Sequence, residues 1–273
     1  MRHVITKRSY ENCKKNYLMS SRNIRRKFGQ NYLSDPAIIF EMGQSISPQV
    51  GTNFFEIGPG MGALTKTLNR DGVFIKAIDI DQNNIEYLLK EFKGPASYEF
   101  LQGDILSFPL NFLQDKKYRI VGNLPYNIST QIILNFINWS NEVEDMHFLV
   151  QKEVAEKIDG SLGTKNWGKL SIKLSAFFHT QILFDVPPES FDIKPKVNSS
   201  FIRLIPKTKL IDSSTKDKLF KIIDMSFASR RKNIKNNLKK ANINWNELAI
   251  DQNLRPEEVT LENYLKIANH YQE

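Results

Sequence analysis

Residues 53–72, "NFFEIGPGMGALTKTLNRDG", decide the fold. The apolar run Phe54-Phe55-Glu56-Ile57 reads as a buried strand. Glycines at 58, 60 and 62 read as a tight turn, and the stretch from Ala63 predicts a helix closing on Gly72. A strand passing through glycines into a helix is the opening unit of a parallel α/β sheet. Outward from it the alternation continues. Strands are predicted at 73–80, 98–104, 118–123 and 146–151, and helices at 82–92, 129–139, 152–159 and 167–177. Upstream, Ser34 or Asp35 caps a helix that has Pro36 in its first turn and runs to about Ile46. Two later β segments, 178–186 and 197–205, predict an antiparallel hairpin at the sheet edge. After Pro206 only helices are predicted, at 213–227, 230–240, 244–250 and 260–271. The expectation is an α/β, doubly wound sheet domain over 25–206 and a small all-α domain over 207–273. Residues 1–24, basic and without apolar periodicity, are expected to form a flexible extension.

Composition limits the setting. The chain has 273 residues, 41% of them hydrophobic, and no run near the ~20 apolar residues of a membrane helix. The N-terminus lacks the apolar block of a signal peptide. A single cysteine, Cys13, excludes an internal disulfide and points to a reducing, cytoplasmic setting. The four histidines are scattered, without metal-ligand spacing, so no metal is expected. Charge is unevenly distributed. Residues 1–30 carry nine basic groups and one acid, residues 207–240 carry eleven and three, and the segments 31–206 and 241–273 are each net −4. One basic segment is commonly just a solvated face. Two flanking an acidic body favour a polyanion partner.

The chemistry lies at the predicted strand ends. Gly58 and Gly60 let the backbone approach a ligand closely, although glycine turns also occur as plain punctuation. Asp79 ends the second strand, where an acid accepts both ribose hydroxyls. Asp104 ends the third, where it can take an exocyclic amine. The spacing G-x-G-x-G differs from the dinucleotide pattern G-x-G-x-x-G, and acids suit a cationic donor without phosphates. S-adenosylmethionine is the cofactor expected. The fourth strand ends in Asn123-Leu124-Pro125-Tyr126. An adenine amino nitrogen is a poor nucleophile because its lone pair is delocalised. Acceptance of its N–H bonds by the Asn123 side-chain oxygen and a carbonyl near Leu124 draws it toward tetrahedral geometry. Pro125 fixes the bend and Tyr126 offers a stacking face. The bland reading makes Asn123 a strand terminator and Tyr126 a core filler.

Longer blocks carry a resemblance. "RRKFGQNYL" (25–33), "FFEIGPGMGALT" (54–65), "VGNLPYNIST" (121–130), "VQKEVAEKI" (150–158), "FDVPPESFDIKPKVNSSFIRL" (184–204) and "LRPEEVTLENYLKIAN" (254–269) resemble, in order, the bacterial KsgA (RsmA) 16S ribosomal RNA adenine dimethyltransferases. The resemblance implies a Rossmann-like class I methyltransferase sheet with a small C-terminal all-α domain. It implies a monomeric enzyme that dimethylates the N6 of two adjacent adenines near the 3′ end of 16S rRNA, within immature small ribosomal subunits. It places donor contacts on Asn31, Leu33, Gly58, Asp79, Asp104 and Asn123, base stacking on Tyr126, and a second aromatic at Phe191, which can equally be a buried loop anchor. Three residues depart from the family pattern. Asp79 replaces the usual Glu, Ile193 stands where proline is frequent, and Trp167 stands where tyrosine is common.

"FASRRKNIKNNLKK" (227–240) holds six cations and no acid. On the predicted helix, Arg230, Arg231, Lys235 and Lys239 form a stripe, with Lys232 beside it. Given an RNA substrate, phosphate contact is the expected role, and a solvated helix is the plain alternative. Rival readings are an Erm-type 23S rRNA methyltransferase, which shares fold and chemistry, and a catalytically silent ribosome assembly factor.

Overall fold

The computed structural model describes residues 31–208, 211–229 and 231–271. Arg230 and the basic extension 1–24 lie outside these residues. Asp35 caps the first helix, α1 (Pro36–Ile46), accepting from Ala37 N at 2.9 Å. There follow β1 (Asn53–Ile57), α2 (Ala63–Leu68), β2 (Phe74–Asp79), α3 (Gln82–Glu91), β3 (Ser97–Gln102), β4 (Tyr118–Asn123), α4 (Ser129–Asn135) and β5 (Val143–Gln151). Next come α5 (Lys152–Ile158), α6 (Lys169–Ser175), β6 (Phe178–Val186) and β7 (Ser199–Pro206). The last elements are the helices α7 (Ser213–Ser226), α8 (Ile234–Asn237), α9 (Trp245–Leu248) and α10 (Leu261–His270).

The seven strands form one sheet in the order β3-β2-β1-β4-β5-β7-β6. The first five run parallel, and β7 is antiparallel to both β5 and β6. The predicted antiparallel hairpin at the sheet edge is formed by β6 and β7. β7 pairs with β5 inside the sheet and β6 takes the edge, and residues 187–198 join the two antiparallel neighbours. Chain order reverses between β1 and β4, the switch point at which open α/β sheets bind ligands. Gly122 lets β4 lie close there, because a Cβ on it would stand 2.6 Å from the Ile57 carbonyl oxygen.

Central strands are apolar on both faces, as a sheet covered on both sides requires. One core cluster holds Phe55, Ile57, Ile120, Phe148 and Ile202 and continues without a break into Leu219, Ile223, Tyr264 and Ile267 of the C-terminal helices. Trp167 joins the two parts, its indole N–H donating to the Val259 carbonyl at 2.9 Å. On the other face Leu33, Met42, Phe54, Leu149, Phe191 and Phe201 pack together. Among the described residues no helix is long and apolar enough to cross a membrane.

Among the described residues, 231–240 do not form the continuous helix predicted over 230–240. Asn233 starts a new helix by accepting from Asn236 N at 3.0 Å. The Asn237 amide donates to the carbonyls of Ser229 and Lys232. Asparagine side chains that bond the backbone locally compete with helix propagation, and here they leave only the short α8. Ile234 and Leu238 are buried, while Arg231, Lys232, Lys235 and Lys239 are exposed. The cations thus lie on a folded loop around α8, and not on one continuous helical stripe.

Candidate active site

A cavity of about 230 Å³ opens at the switch point. The C-terminal ends of β1, β2 and β4 and the turn after β3 bring Gly58, Asp79, Asp104, Asn123, Leu124 and Pro125 into its wall, together with Asn31. Ile57, Ile78, Ile80, Ile105, Leu106 and Ile128 make much of the remaining wall apolar, with Tyr32 and Asn127 beside them. Carboxylates among aliphatic walls suit a ring system bearing a few polar groups. Across Gly58 and Asn123 a second chamber of about 50 Å³ is lined by Leu33, Met42, Glu56 and Met61.

Asp79 is buried and heavily bonded. Its Oδ2 accepts from Gly60 N and from the Asn84 amide, both at 3.0 Å, and its Oδ1 accepts from Asp81 N at 2.9 Å. Burial nevertheless pushes its pKa up, against these hydrogen bonds. Gly60 lies outside the cavity wall. Its φ of +56° turns its N–H toward Asp79, and a Cβ there would stand 2.9 Å from the Tyr32 ring. Asp104 closes its own turn, Oδ1 accepting from Leu106 N at 2.9 Å.

Asn123 faces the cavity with its amide polarity fixed. Its Nδ2 donates to the Asn31 carbonyl at 2.7 Å, which leaves Oδ1 as an acceptor at the wall. Among the described residues no donor reaches the Leu124 carbonyl, while the Pro125 carbonyl is taken by Ile128 N at 3.2 Å. Two acceptors therefore remain at the end of β4. Tyr126 stands beside the cavity, outside its wall, with its hydroxyl 2.6 Å from Ser199 Oγ. Burial pushes its phenol pKa up, opposed by that hydrogen bond.

Two expected residues lie outside the wall of the larger cavity. Phe191 is only 3% exposed and bridges Leu33 as an isolated β pair. Ser34 N and Asp35 N both donate to the Ser190 carbonyl, and Asp192 N donates to the Tyr32 carbonyl. Phe191 thus holds the 187–198 connection against the segment entering α1 and lies outside the cavity wall. Leu33 belongs to the same anchor and touches only the small chamber.

Three contributors escaped the sequence reading. Tyr32 donates to Asn84 Oδ1 at 3.0 Å, and Asn84 in turn holds Asp79. Glu56 read as strand filler, yet it is fully buried with Oε2 accepting from Thr65 Oγ1 at 2.7 Å. Burial and the neighbouring Asp79 push its pKa up, and the Thr65 hydrogen bond opposes them, leaving it at about 7. A single acid inside an apolar strand run is the one signal that marked it.

The model for the ribosomal RNA adenine dimethylase family matches residues 21–273. "Ribosomal RNA small subunit methyltransferase A" of Saccharophagus degradans is 38% identical over 256 residues, covering 92% of this chain and 96% of the relative. The 23S rRNA methyltransferase ErmE superposes with a TM-score of 0.68 at 21% identity, over 89% of this chain and all of the other. A dimethyladenosine transferase from Plasmodium falciparum gives 0.70 at 21%, over 86% and 95%. These two structural likenesses carry the Rossmann-like methyltransferase fold alone. With the match spanning nearly its whole length, the chain belongs to the ribosomal RNA adenine dimethylase family.

Proposed function

We propose that the protein dimethylates the N6 of two adjacent adenines in the 3′-terminal hairpin of 16S rRNA, acting on the immature small subunit in the cytoplasm. The observation that carries the reading is Asn123, whose amide nitrogen is engaged by Asn31 so that Oδ1 and the Leu124 carbonyl remain as a pair of acceptors. S-adenosylmethionine supplies an electrophilic methyl carbon next to a cationic sulfur. The cavity fits it, with aliphatic walls for adenine, Asp104 for the exocyclic amine and Asp79 for the ribose hydroxyls. Gly58 and Asn123 separate the cavity from the small chamber, where Glu56 offers a carboxyl to a cationic tail.

Asn123 and the Leu124 carbonyl accept the N–H bonds of the target amine and orient its lone pair. Pro125 fixes their spacing, and Tyr126 stacks on the base. None of these groups is a strong base, and none is required, because the proton leaves after transfer. Residues 207–273 form the RNA-contacting unit, with Arg231, Lys232, Lys235 and Lys239 on phosphates and Arg230 in the same segment.

Incubation with labelled S-adenosylmethionine and small subunits lacking these methyl groups tests the reading. Mass mapping should find dimethylation at two neighbouring adenines of the 3′-terminal hairpin. Label confined to 23S rRNA, or no label with intact donor binding, would overturn it.

A further inference from the structure

Tyr126 is anchored at both ends. Its backbone carbonyl accepts from Ser129 Oγ at 3.3 Å, and its hydroxyl lies 2.6 Å from Ser199 Oγ, 73 residues away in sequence. Ser199 is fully buried as the first residue of β7, in register with Gln151 of β5 and Val186 of β6. The preceding residue is also tied, since Lys152 N donates to the Asn198 carbonyl at 2.9 Å. Ser199 therefore cannot follow Tyr126 if the ring swings. The phenol stays protonated in its buried setting, so the contact is one between neutral hydroxyls.

We propose that Ser199 is a positioning residue for methyl transfer: through the Tyr126 hydroxyl it fixes the plane of the ring on which the target adenine stacks. The proposal rests on the reading of Tyr126 as the stacking residue. A tyrosine on a turn keeps two free side-chain torsions, and a stacked base follows whatever plane the ring adopts. Transfer requires the amine and the methyl carbon within about 3–3.5 Å and in line, and a misplacement of about 1 Å is costly. Fixing the hydroxyl to the sheet removes that freedom before the base arrives. Ser199 acts only through Tyr126. It should influence the transfer step more than the encounter with RNA.

The test compares Ser199→Ala, Tyr126→Phe, the double variant and Ser199→Thr in methyl transfer to undermethylated small subunits, with Tyr126→Ala as a control on stacking. Ser199→Ala and Tyr126→Phe should each lower kcat by roughly five- to tenfold, the scale of one net hydrogen bond realised in the transition state. KM for particles and affinity for S-adenosylmethionine should stay as in the wild type. The double variant should be no worse than either single one, because both remove the same bond. Ser199→Thr, which keeps the hydroxyl, should recover the rate. A wild-type kcat in Ser199→Ala overturns the proposal. So does a double variant whose loss is the product of the singles, or a loss that merely tracks the folded fraction in thermal melts. If Tyr126→Ala transfers normally, the stacking reading itself fails. If that variant is defective while Ser199→Ala is normal, only the positioning role of Ser199 fails.

Discussion

At the end of β4 one side chain decides how the acceptor is presented. The Asn31 carbonyl takes the Asn123 amide nitrogen at 2.7 Å, so the oxygen is oriented before any base arrives. Such preorganisation is worth most at a reacting centre, because no reorientation is needed as charge develops. Asn123→Ala should reduce single-turnover methyl transfer by at least about 100-fold, the scale of losing an oriented polar group there. Particle binding should stay nearly intact, because Asn123 lines the cavity at the strand ends and none of the exposed cations of the basic segment does. Near-normal transfer would remove Asn123 from the mechanism. Asp79 carries a different load, holding Gly60, Asp81 and Asn84 together. On the proposed reading, in which the ribose bonds to Asp79, Asp79→Ala should weaken S-adenosylmethionine by roughly 10- to 100-fold, as that acceptor is lost and the glycine turn loses its tether. Calorimetry checks this, and an unchanged affinity would assign the carboxylate to the turn alone.

Among the elements, the basic segment shows most clearly what the chain letters carry and what they hide. The parallel strands were legible because apolar runs, glycine turns and helical periods all agree over 53–151. Over 230–240 the periodicity of Arg and Lys suited a helix, but Asn233 and Asn237 bond the backbone and cut it to α8. The loop still presents its cations outward, anchored from below by buried Ile234 and Leu238. Replacing Arg231, Lys232 and Lys235 together with Ala should weaken small-subunit binding. It should flatten the slope of log affinity against log salt by roughly two to three, near 0.7–0.9 per lost phosphate contact. Binding of free S-adenosylmethionine should not change. A slope equal to wild type would leave this loop an ordinary solvated surface. In the site, the strand-end residues were legible because each sits at a fixed place in a strand–turn unit. The Tyr32–Asn84–Asp79 relay was not, since it joins side chains 52 residues apart. The pairing of Phe191 with Leu33 was equally hidden. A loop aromatic has no periodicity from which such a long-range contact could be read.

Across the whole molecule, two buried groups on neighbouring parts of the sheet oppose each other in their response to pH. Glu56 on β1 has its pKa pushed up from 4.5 to about 7 by burial, with Asp79 adding and Thr65 opposing. Between those values the folded protein holds more protons than the unfolded chain, so this group's contribution to stability falls as pH rises. His147 on β5 is fully buried, and among the described residues neither ring nitrogen has a hydrogen-bond partner. Burial pushes its pKa down from 6.5 to about 4, with Arg119 and Arg203 acting in the same direction and Asp145, 3.6 Å away, opposing. Between those values the unfolded chain holds more protons, so stability rises with pH. From about pH 4.5 to 6.5 the two effects offset each other, and each alone has a slope of at most about 1.4 kcal/mol per pH unit. Glu56→Gln, which keeps an oxygen for Thr65, should therefore make stability climb more steeply than wild type over this range. His147→Phe, a ring of similar shape beside Phe201, should make it fall more steeply. Urea unfolding of the three proteins at half-unit pH steps reads the difference directly. Curves that stay parallel to wild type across the window would mean that neither group changes its protonation on folding.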